Sequence, residues 1–180
     1  MRAAVTMVSE RGTTAVAVSD LAAAADVSRQ VLYAQFGDRD TLLFETALDL
    51  ARRELLPGIA SDAHPPGGHL RVLAATRHFA AYRAFYRAMF TGPRAYDLNK
   101  ALSALLGSVN RQLADRLSAQ PLPPGTAEDL TTFVTGGWAA ILTAWVIDGE
   151  DPLDPEEMAD RLLRLASTLT SSRGPSPGSR

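Results

Sequence analysis

The strongest constraint in this sequence is how closely its helix-breaking signals crowd together between Gly12 and Asp38. Gly12 stops a first helix that runs to about Arg11, as glycine often does just past a helix end. Residues 13–17 read as a loop. Asp26-Val27 reads as a turn, Ser28 as the N-cap of the next helix, and Gly37-Asp38 as another break. Between these signals lie two short helices, about Val18–Ala25 and Arg29–Gln35. Helices of this length are marginal alone in water, so each must pack on its neighbours. Val18, Leu21, Val27, Val31 and Leu32 are the expected core positions that lock the pair together. Phe36 is expected to plug the joint with the following helix. Asp38 caps that helix, which the sequence predicts to run to Leu56, where Pro57-Gly58 ends it.

The rest of the chain reads as helical too, because no stretch keeps up the apolar–polar alternation of a strand. Residues 57–69 form a loop. Helices are predicted over 70–81 and 82–90, with a kink between them, and over 96–119 after the Gly92-Pro93 break. Gln120–Gly125 is a connector, and two long helices close the fold over 127–147 and 155–170. In the first of these, Leu130, Phe133, Val134, Gly137, Trp138, Ile141, Leu142, Trp145 and Val146 recur at helical spacing and make one bulky apolar face. The opposite side carries Gly136, Ala139, Ala140, Thr143 and Ala144, all small. The second opens with the clearest start signal in the chain: Asp154 as cap, Pro155 at the first position, then Glu156 and Glu157. Residues 171–180 are a Ser/Gly/Pro/Arg tail that reads as disordered. The fold class is therefore all-α.

Composition narrows the function. Hydrophobic residues make up 46% of the chain, enough for a packed core. There is no cysteine, which rules out disulfides and thiolate zinc sites. The apolar runs read as interrupted too early to span a bilayer, and no signal peptide is recognisable. The expectation is a cytoplasmic protein. His64, His69 and His78 do not form a compact ligand set, so no metal or cofactor is expected. No glycine-rich phosphate loop, nucleophile elbow or acid–base pair stands out, so an all-α enzyme has nothing catalytic behind it. The net charge is −2, from 18 basic and 20 acidic residues. Even residues 1–39 balance, with Arg2, Arg11, Arg29 and Arg39 against Glu10, Asp20, Asp26 and Asp38. A general basic excess is thus missing, although a few well-placed cations suffice where phosphates are met.

A short helix, a turn and a second short helix over residues 18–36 is the geometry of a helix-turn-helix, whose second helix enters a major groove about 12 Å wide. The residues sharpen that pattern. The run Gly12, Val18-Ser19-Asp20-Leu21-Ala22, Ala25-Asp26-Val27-Ser28, Leu32-Tyr33, Phe36 and Arg39-Asp40-Thr41-Leu42 resembles the amino-terminal signature of the TetR family of transcriptional regulators. Ala3-Ala4-Val5 and Met7-Val8 are similar to the end of that family's first helix. The resemblance covers about residues 1–45. It implies a three-helix DNA-binding domain there, a helical ligand-binding and dimerisation domain over 46–170, and a homodimer on a palindromic operator as a ligand-responsive repressor. Arg29 and Gln30 lie in the first turn of the recognition helix, where arginine pairs well with guanine and glutamine with adenine. Ser28 is either a cap or a phosphate contact. Tyr33 and Arg39 match family positions that touch phosphate, and Ser19 and Gln35 complete the candidate DNA contacts. The chain departs from the family in three places. Its first helix opens about two turns late, Ala17 stands where a capping Thr or Ser is usual, and Asp26 stands where the turn usually has glycine. Asp tolerates left-handed backbone better than most residues. The late first helix and the neutral head leave open an alternative: a dimeric helical small-molecule-binding protein with weakened or lost DNA binding.

For the body, the expected dimer interface is Gly136, Ala140, Thr143 and Ala144 on one helix with Leu162, Leu165 and Leu169 on the other. The same apolar helices would also serve as the core of a monomer. An aromatic cluster of Phe79, Tyr82, Phe85, Tyr86, Met89 and Phe90, with Trp138 and Leu142 facing it, is either plain core or the lining of a pocket for an apolar or aromatic effector.

Overall fold

The capping chemistry of the head determines its geometry. Gly12 takes φ 63°, a left-handed conformation in which a side chain would be strained, and its N–H returns to the Val8 carbonyl to close α1 (Arg2–Arg11). After α2 (Val18–Ala24), Asp26 turns the chain at φ 52°, the left-handed role expected of it. The Ser28 hydroxyl accepts from the Val31 N–H at 3.2 Å and opens α3 (Arg29–Phe36). Asp38 accepts from the Thr41 N–H at 2.7 Å and opens α4 (Arg39–Leu50). That backbone hydrogen bond holds the Asp38 carboxyl below the usual carboxylate range. Ala17, which begins α2, makes no side-chain cap.

The computed structural model describes residues 1–60, 68–107 and 123–171, and among them there is no strand. The chain does not leave its helix at Pro57, as the sequence predicts. A π-helical turn over Ala51–Leu55 follows α4 and feeds α5 (Leu56–Ala60). Proline is tolerated in the first turn of a helix, where its missing N–H removes little. Then come α6 (His69–Ala81), a break at Tyr82, α7 (Arg83–Phe90) and α8 (Ala95–Leu105). The remainder of the predicted 96–119 helix, the start of the 120–125 connector and most of the 57–69 loop lie outside the described residues, as do His64 and the 172–180 tail. Two helices close the described chain: α9 (Pro124–Asp148) and α10 (Pro155–Ser171). Asp154 caps α10 through the Glu157 N–H at 2.8 Å, as its start signal requires.

One apolar cluster unites head and body. It runs from Ala4 and Val8 of α1 through Leu21, Ala22 and Leu32 to Leu43, Phe85, Tyr86, Leu98 and Val146. The central element is α7, packed on by α1, α4, α6, α8 and α9. Phe85 and Tyr86 are fully enclosed there. A second cluster, Val72, Leu73, Met158, Ala159 and Leu162, joins α6 to α10. Thr76 stitches the same seam by donating to the Pro155 carbonyl at 2.8 Å. Arg83 ties the end of α9 down through hydrogen bonds to the Val146 and Gly149 carbonyls and an ion pair with Asp151 at 3.0 Å.

Candidate DNA-binding face and ligand cavity

The head presents α3 with a single side chain, Leu32, buried and Phe36 half-buried beneath it. Ser28, Arg29, Gln30, Tyr33 and Gln35 are all exposed, and so is Ser19 on α2. Arg39 is half-buried and pairs with Asp40 at 2.9 Å. Arg11 pairs with Asp20 at 2.7 Å. Val27 and Val31 correct the expected core, since they are 39% and 49% exposed. The reason is the length of α3: eight residues give it one narrow inward stripe, which Leu32 and Phe36 fill. Val18 does pack against the core.

The head is braced by the body at the start of α4. The Arg94 guanidinium, just before α8, stacks on the Phe44 ring at 4.1 Å. It also donates to the Thr41 hydroxyl at 3.4 Å and to Asp97 at 3.2 Å. These contacts tie the start of α8 to the first turns of α4.

Between α6, α8 and α9 lies a cavity of about 90 Å³. By a measure in which one water needs about 10–15 Å³, it holds several waters or a small organic group. Phe79, Phe90, Trp138 and Leu142 line it, four of the eight residues expected there. The other four are corrected. Phe85, Tyr86 and Met89 are buried in the core around α7, where neighbouring helices surround them. Tyr82 instead donates to Glu54 at the seam between α7 and the π-helical turn, which raises its pKa. The expected residues supply aromatic walls. No sequence signal marks the cavity's polar end, where Asn99 on α8 accepts a hydrogen bond from the Thr143 hydroxyl on α9 at 3.0 Å. That pairing joins residues 44 positions apart, and only the fold brings them together.

The expected dimer face divides. Gly136, Ala140, Ala144 and Leu165 are exposed on α9 and α10. Thr143 turns to Asn99 and lines the cavity instead. Leu162 is 1% exposed, consumed by the seam between α6 and α10. The side chain of Leu169 lies outside the described residues. Phe133 and Gly137 leave the expected bulky inner face, and Phe133 is 70% exposed, one turn before Gly136 and Gly137. By length and composition Gly125–Asp148 could cross a membrane, which corrects the expectation that no apolar run is long enough.

Of the three histidines, His78 is buried with its Nε2 2.9 Å from the Tyr86 hydroxyl, and His69 lies 3.5 Å from Asp160. Burial lowers the His78 pKa to about 4 and raises that of Tyr86.

A capped, exposed second helix on a head braced by a helical body is the arrangement of a helix-turn-helix domain. Residues 1–46 match the family model for bacterial regulatory proteins of the tetR family. Solved structures agree on the fold. A TetR-like transcriptional regulator from Rhodococcus sp. RHA1 is 18% identical, with a TM-score of 0.64 over 96% of this chain and 93% of that one. The dihydroxyacetone kinase operon activator DhaS is 15% identical, with a TM-score of 0.60 over 93% and 91%. The TetR family repressor AlkX from Dietzia sp. strain DQ12-45-1b is 21% identical, with a TM-score of 0.58 over 93% and 94%. No curated protein matches the chain by sequence.

Proposed function

We propose that this protein acts as a cytoplasmic homodimer that binds a palindromic DNA operator and releases it in response to a small apolar or aromatic ligand. In this reading residues 1–45 are the reader and 46–170 the effector and dimerisation body. The observation that carries it is α3 itself: a Ser28-capped helix, held from behind by Leu32, with its remaining polar side chains in solvent. Arg29 and Gln30 meet base edges. Ser19, Ser28, Tyr33, Gln35 and Arg39 meet the sugar–phosphate backbone. The apolar stripe of Phe133, Gly136, Ala140 and Ala144, continued by Leu165, is covered by the same stripe of a second copy. Small side chains there let the helix axes approach closely. Ligand entering beside Asn99 displaces α8, and Arg94 passes that shift to the head and changes the spacing of the two readers.

The test is a mobility shift on duplexes from the gene's own upstream region, at low and moderate salt. Arg29→Ala relaxes base preference, whereas Arg39→Ala weakens all sequences alike and lowers the salt slope by about one. Binding untouched by both substitutions rejects the assignment. A second reading, a helical small-molecule binder with lost DNA binding, is favoured by the ion pairs that occupy Arg11 and Arg39. It requires no sequence-dependent shift at any salt.

A further inference from the structure

The outward face of α3 is more apolar than phosphate contact alone would need. At about 100° per residue, Gln30 and Ala34 lie opposite Leu32, with Val31 and Tyr33 on the flanks. The exposures follow that geometry: Leu32 is buried, while Gln30, Val31, Tyr33 and Ala34 are all exposed. Val31 is 49% exposed, on the first turn of the helix. A β-branched side chain there lowers helix propensity. About half of its surface stays in solvent, so Val31 adds less burial than a core residue of the same type.

In the major groove the same side chain has a complement. Thymine alone among the bases presents a methyl group there, and apolar side chains are its matching surface. We infer that Val31, with Ala34 beside it, reads thymine 5-methyl groups, so that each operator half-site carries at least one thymine whose methyl this face covers. The inference rests on the DNA-binding reading and adds a base preference to it. Gln30 lies between Val31 and the arginine at position 29, so the apolar patch is continuous with the polar base-reading positions. The occupant is therefore the floor of the groove rather than another protein.

Deoxyuridine tests this cleanly, because it keeps every hydrogen-bonding atom of thymine and removes only the methyl. The full-length protein selects duplexes from a random pool. Each thymine of the selected site is then replaced by deoxyuridine in both half-sites, and affinity is read by fluorescence anisotropy at fixed salt. One buried methyl corresponds to about a fourfold change, hence about fifteenfold for the symmetric pair. The expected result is such a loss at one or two positions in the wild type, shrinking below about twofold in Val31→Ala. Val31→Thr, which keeps one of the two methyls, retains part of the loss. Circular dichroism confirms that the variants fold. Indifference of the wild type to deoxyuridine everywhere overturns the inference, as does a loss undiminished in Val31→Ala. Selection of no duplex at all overturns the DNA-binding reading and this inference with it. A selected site without a methyl effect overturns the inference alone.

Discussion

Lowering the pH from 7 to 5 should weaken this fold specifically through His78. Its ring is enclosed by Phe79, Tyr82 and Tyr86, with ring centroids 5.6, 5.1 and 5.5 Å away, and its Nε2 shares a hydrogen bond with the Tyr86 hydroxyl. Burial holds its pKa at about 4, against a nearby Glu54 carboxylate that pulls the other way, whereas the unfolded chain has the ordinary 6.5. Between those values the unfolded state binds more protons than the folded one. Stability therefore rises with pH through this window and falls as the solution is acidified below 6.5. Linkage over pH 7 to 5 gives a loss of about 2 kcal/mol per chain. Urea unfolding at the two pH values, at one protein concentration, measures it in the wild type and in His78→Gln. Glutamine still reaches the Tyr86 hydroxyl but does not titrate, and the remaining carboxylates and histidines are common to both proteins. The wild type should lose about 2 kcal/mol more than the variant. Equal losses in the two proteins would show that the imidazole is not held neutral by its surroundings, and the reasoning would fail.

The body gives three further expectations. If the proposed dimer forms through the exposed stripe of α9, Phe133→Glu should convert it to a monomer in light scattering at micromolar concentration while leaving helix content intact; an undisturbed dimer would place the interface elsewhere. Leu162→Ala should cost about 2–5 kcal/mol in urea unfolding, because the side chain fills the seam between α6 and α10. Leu165→Ala should weaken self-association with little effect on the fold of the chain, and a large loss of stability there would contradict its exposure.

Much of the head was legible because its signals are local. Gly12, Asp26, Ser28 and Asp38 each act through their own backbone within a few residues, and spacing alone reveals such effects. The family resemblance lies in the same residues. The inward and outward faces of short α3 were less legible. Val27 and Val31 look like core residues by type, and only the packing of α2 and α4 shows that Leu32 and Phe36 already fill the space. Helix α9 presents the same problem at greater length. Its residues are apolar on nearly every side, so periodicity could not show that Trp138 and Leu142 turn inward while Phe133 turns out.

Sequence by itself determined most of the helices and the caps at Gly12, Ser28, Asp38 and Asp154, because these depend on interactions between near neighbours in the chain. Tertiary structure decided which apolar side chains are core and which are surface. It placed Tyr86 in the centre, Leu162 in a seam within the chain, and Asn99 against Thr143 at the edge of a cavity. These outcomes depend on which faces meet after the helices fold together, and hydrophobicity, having no direction of its own, does not encode that in any single segment.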